Sequence, residues 1–183
     1  NLHDLVVAGL LDGADWDVTF VPFSLGQVHV EEGGVDVWDE PERDSGLLAL
    51  RAGVVVRDQF PDQFLHAHRA LFDARHVEAL RIDDPEVVRA ALRSAGVDAE
   101  AVFTEIDGGE PLDIVRKEHE AAAQDFQVWG VPTVISGDVA AFIRIMHDAR
   151  GDATEARRTV ERLVDSVAGW PELNELKHTS LQR

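Results

Sequence analysis

Apolar residues recur at helical spacing over most of this chain and change to strand-like runs only towards its two ends. Leu2, Leu5, Val6 and Leu10 share one face of a helix that Gly13 ends. The run WDVTFVPF, residues 16–23, predicts a strand, with Val18, Phe20 and Pro22 on one face and Thr19 and Val21 on the other. Residues 24–45 are rich in Gly, Pro and acids and carry no period, which predicts a long loop of the kind that is functional or mobile.

The middle of the chain reads as successive helices. Residues 46–59 offer Leu47, Leu48, Leu50, Val54 and Val55 for burial. Pro61 opens a helix predicted to run to about Leu80, with Phe64, His68, Leu71 and Phe72 on one stripe. In DDPEVVRAALRSAG, Asp84 is placed to cap, Pro85 to start the helix and Gly96 to follow its end. Asp98 caps a short helix holding Val102, Phe103 and Ile106, and a further helix runs from Pro111 to about Phe126. Residues 132–136 and 139–145 are two apolar runs joined by Gly137-Asp138, a hairpin pattern. The last helix opens with an Asp152/Glu155 capping box, buries Ala156, Val160, Leu163, Val164 and Val167, and stops at Gly169 and Pro171.

Pro132 stands at the start of one of these strands. Proline has no N–H to give to a ladder, so within sheets it is confined to first positions, edges or bulges. X-Pro is also the peptide bond that adopts cis at modest cost. Either a trans proline on an edge or a cis turn satisfies the pattern.

Composition narrows the function. The 35 acidic against 17 basic residues give a formal charge of -18. Such a surface repels nucleic acid and anionic lipid, and no basic cluster offsets it, so neither is an expected partner. Solubility explains the acidity more simply than a cationic partner does. Cysteine is absent, which leaves no disulfide framework and no thiolate metal site. LVVAGLL, the longest apolar run, is too short to span a bilayer. His66 and His68 point to different helix faces and His68 and His76 lie two turns apart, so no metal is expected. No phosphate loop, Ser-His-Asp spacing or HExxH pattern occurs.

Four blocks together, VTFVPFSLGQV (18–28), AHRALFDARHVEALRIDDPEVVRAAL (67–92), VWGVPTVI (128–135) and WPELNELKHT (170–179), resemble the DsbA-like thioredoxin family. The similarity is to its cytosolic, actinobacterial-looking branch, related to the kappa-class glutathione transferases and 2-hydroxychromene-2-carboxylate isomerases. The implied fold is α/β: a thioredoxin fold with an inserted α-helical domain. Residues 1–45 and 127–183 would form the thioredoxin-like part and 46–126 the helical insertion, with 17–21, 132–136 and 139–145 in one sheet.

The same resemblance implies a cis Val131–Pro132 bond and a substrate edge at Val131, Pro132 and Thr133, where main-chain groups pair with an extended thiol or peptide. It places the nucleophilic Cys (Ser in the transferase and isomerase relatives) at the N-terminus of the first helix, where the dipole favours a thiolate. In this sequence that position would precede Asn1, together with a first strand. Further candidates for substrate binding are His29, as proton donor or ligand contact, Trp38, as a lid or as an anchor for its loop, and Trp129, lining the groove or packed beneath it. The loop 24–45 is expected beside the proline turn.

The implied activity is thiol–disulfide exchange on protein or small-molecule thiols, in the cytoplasm, with no bound cofactor. An alternative is a transferase or isomerase using a low-molecular-weight thiol as cofactor. VAAFIRIMHDARGD weakens it, lacking the aromatic-Gly-x-Asp-Arg ending of those relatives. A binding module on the same fold is the third reading, and a homodimer stays open.

Overall fold

A computed structural model describes residues 1–149 and 151–178. It is mostly helical, with one small sheet. The order is α1 (Leu2–Leu11), α2 (Leu25–Val28), α3 (Leu47–Gln59), α4 (Phe64–His76), α5 (Pro85–Ser94), α6 (Ala99–Gly108), α7 (Glu110–Asp125), β1 (Thr133–Ser136), β2 (Val139–Phe142) and α8 (Ala153–Gly169). Short 3₁₀ turns at Pro41–Arg43 and Pro61–Gln63 precede α3 and α4.

The starts of three helices follow from local chemistry. Asp84 accepts from Glu86 N at 2.9 Å, Asp98 from Glu100 N and Ala101 N at 3.0 and 3.1 Å, and Asp152 from Glu155 N at 3.0 Å. Each bond satisfies a donor that the first helical turn leaves unpaired.

Three apolar clusters among the described residues hold the chain together. The largest joins α3, α4, α5 and α6 through residues such as Val56, Leu71, Leu92 and Val102. A second ties Val37 and Trp38 of the long loop to Leu47 and Val54 of α3 and Val115 of α7. The third packs Leu5 of α1 on Ala156 and Val160 of α8, with Trp16 and Ile145 at its margin. Gly9 makes that contact feasible, since a Cβ there would lie 2.4 Å from the Trp16 ring. The hairpin packs on α8.

The structure corrects several expectations. Residues 16–23 are not a strand and do not join the hairpin, which among the described residues is a sheet of two strands. Alternating side chains are not sufficient, because a strand exists through its ladder. Among the described residues, 15–22 make no main-chain to main-chain bond. Phe20 O instead accepts from Arg57 Nη1 at 3.1 Å, and the Phe20 ring meets Phe64 and His68 edge-on. The hairpin is shorter than its apolar runs: Pro132 lies outside β1, and β2 ends at Phe142 rather than at residue 145. α4 stops at His76 rather than near Leu80, because Ala79 turns left-handed (φ 56) and Leu80 N reaches back to Ala74 O. In α1, Val7 and Gly9 are buried while Val6 and Leu10 are only half-buried; the helix packs on both α8 and α4, so its burial is not confined to one stripe. Val164 of α8 is likewise exposed.

Candidate functional site

The candidate site is built on the hairpin and the turn entering it. Register pairs Thr133 with Phe142, Val134 with Ala141, Ile135 with Ala140 and Ser136 with Val139. Ile143 N donates to Pro132 O at 3.0 Å, which extends the ladder by one bond beyond the strand. Since hydrogen-bonded and non-bonded pairs alternate in an antiparallel ladder, Pro132, Val134 and Ser136 face β2. Thr133 and Ile135 then direct their main-chain N–H and C=O to the opposite edge. That edge has no partner strand among the described residues.

The turn itself is tightly held. The Val131–Pro132 peptide is cis. Thr133 Oγ1 donates to Gly130 O at 2.7 Å, closing the loop, and Gly130 is buried. Val131 is 42% exposed, with no bond to its main chain among the described residues. Trp129 is 66% exposed, and its ring lies 4.9 Å from that of Phe142 at 32°. Trp129 therefore lies open beside Val131, on the same β-hairpin end.

Two further sequence candidates, His29 and Trp38, have their own contacts in the long loop and the helical block. The exposed His29 makes a 2.6 Å contact from Nδ1 to Leu25 O, within its own turn. Trp38 is buried against Val37, Leu47, Val54 and Val115, so it anchors its loop to α3 and α7. The long loop is thus seated on the helical block, and neither of these contacts reaches residues 129–133.

Two polar clusters were not legible in sequence. His3 of α1 and His68 of α4 are 65 residues apart, yet their rings share a 2.9 Å hydrogen bond, with Phe72 stacked on His3 at 3.8 Å. Burial pushes His3 down to about 3, helped by the neighbouring His68, and pushes His68 down to about 4. Ser24, Asp44 and His119 form the second cluster, described below. Nothing local marks Asp44 or His119 as partners of Ser24. Among the described residues no group of His, Asp and Glu is placed to hold a metal ion, and no helix is long and apolar enough to cross a membrane. A shallow groove of about 290 Å³ over α1, lined by Asp4, Asp12, Arg69 and Ala149 among others, takes no residue from the proline turn.

Among curated proteins none matches the chain. A family model, the DSBA-like thioredoxin domain, matches residues 18–151, which include the helical block, the proline turn and the hairpin. The chain belongs to the DSBA-like thioredoxin domain family.

Proposed function

We propose that this chain serves thiol–disulfide exchange, holding a thiol or disulfide partner along Val131, Thr133 and Ile135. The observation that carries the reading is a cis-proline turn leading into a strand edge with no partner among the described residues, Val131 and Ile135 being exposed on it, within the family's domain. An extended ligand can pair with such an edge as an added strand, and Trp129 offers it an aromatic face.

The 183 residues contain no cysteine, so the thiolate has to be supplied from outside them. In this reading it precedes Asn1, at the N-terminal end of α1. The thiolate attacks one sulfur of a bound disulfide, the S–S bond breaks, and the other sulfur leaves as thiolate. A second thiol then attacks the mixed disulfide and releases the product. In this reading the chemistry takes place in the cytoplasm, with a low-molecular-weight thiol as reductant. Residues 46–126 act as a helical insertion that supports the long loop.

The test uses the product of the natural gene. Thiol titration and disulfide reduction are measured together for that protein and for its Trp129→Ala variant. Catalysis that requires a titratable thiol and is weakened in Trp129→Ala supports the proposal. A protein without a titratable thiol, inactive on every disulfide offered, overturns it and leaves a binding module.

A further inference from the structure

Among the described residues, the buried polar side chains are Ser24, Asp44 and His119, and they meet in one network. Ser24 Oγ donates to Asp44 Oδ2 at 2.5 Å and accepts from Gln27 N at 2.9 Å. Ser24 N donates to His119 Nδ1 at 3.2 Å. Asp44 Oδ1 accepts from Gly46 N at 2.7 Å, so one carboxylate ties the end of the loop to its beginning. Around the imidazole, Phe23 lies 4.2 Å away between ring centres and Trp38 approaches edge-on at 5.4 Å.

The chemistry of this network depends on one proton. Nδ1 can accept from Ser24 N only while it carries none, so the ring is neutral with its proton on Nε2. A second proton would set an N–H against the Ser24 N–H. It would also put a charge on a buried ring, and burial disfavours the charged form. Loop 24–45 would lose its connection to α7 at Ser24.

We propose that His119 is a protonation-sensitive latch that holds loop 24–45 closed on α3 and α7. The latch is closed while His119 is neutral and opens on its protonation. This inference stands apart from the thiol reading, because it concerns only how the loop is held.

The electrostatics agree with that direction. Burial lowers His119 below the ordinary histidine value, opposed in part by Glu120 beside it on α7 and by Asp44 from the loop. No charged group of α3 or α6 acts on the ring, and Arg57 of α3 is engaged by Glu118 and Asp58. A folded value below 6.5 means that the closed loop gains fully above that pH. The gain is lost as pH falls through the folded value.

Two measurements on the 183-residue chain test this. Nitrogen NMR of the histidine rings reports the His119 tautomer and its titration. Hydrogen exchange, corrected for the intrinsic pH dependence, reports protection of loop 24–45 in the same samples. The expected result is the Nε2–H tautomer at pH 7, a midpoint below 6.5, and loss of loop protection at that same midpoint. In His119→Asn, which keeps an acceptor near the Nδ1 position and does not titrate, protection should persist through the transition. An Nδ1–H tautomer, or loop protection that stays flat while His119 titrates, overturns the latch. A His119→Asn loop that opens at the same pH as the wild type overturns it too. Should that variant not fold, the wild-type tautomer and the coincidence of midpoints decide alone.

Discussion

Gly26 sits where a side chain cannot. A Cβ there would lie 2.6 Å from Asp44 Cγ, and Asp44 is pinned by Ser24 and Gly46. Gly26→Ala must push the carboxylate out of its bonds, and the expected loss is about 1–3 kcal/mol, read from urea unfolding. Arg57 is the second residue with a definite cost. Its guanidinium makes two 2.7 Å bonds to Glu118 and one of 3.1 Å to Phe20 O, joining α3, α7 and the irregular segment 16–23. Lysine keeps the charge but not the fork, so Arg57→Lys should lose about 1–2 kcal/mol. A variant as stable as the wild type would show that solvent screening cancels the pair.

At the scale of elements, what was legible and what was not follow one physical rule. Helix starts marked by Asp84, Asp98 and Asp152 were readable because the signal is a side chain reaching its own backbone within three residues. Ends closed by glycine were equally plain, as at Gly96. The end of α4 was hidden because Ala79, not glycine, takes the left-handed conformation, and Gln127 does the same after α7 (φ 53). An L side chain in that region costs roughly 1–2 kcal/mol, partly offset by the greater freedom glycine loses on folding. Ala79→Gly and Gln127→Gly are therefore each expected to stabilise by about 0.5 kcal/mol. Gly109→Ala, at φ 90, should do the reverse by about 1 kcal/mol. The strand expected at 16–23 failed for a different reason. Its alternation is local, but its ladder depends on a neighbour that no local pattern specifies.

For the whole molecule, the proline turn was the part of the site that sequence could locate, because it is contiguous. The histidine pair was not, since His3 and His68 come together only when α1 packs on α4. That pair has a consequence for acid stability. Both groups sit below the ordinary histidine value of 6.5 because burial favours their neutral forms. Their contribution is complete above pH 6.5 and is lost as pH falls towards about 4 and then about 3. The melting temperature should fall over this range, and more gently in His68→Gln, which keeps a hydrogen-bonding group but binds no proton. Parallel curves for the two proteins would remove the pair from the acid response.

The open edge of β1 also bears on how copies of this chain behave towards one another. Unpaired main-chain groups flanked by exposed Val131 and Ile135 are a template for edge-to-edge association. A formal charge of -18 keeps copies apart while salt is low. At 0.1 M salt the field is screened beyond about 10 Å, and at 1 M beyond about 3 Å. The acidity that looked merely solubilising in the sequence then acts as a gatekeeper for a sticky strand. Light scattering should rise with salt for the wild-type chain, and Ile135→Lys, which adds a charge on that strand, should suppress the rise.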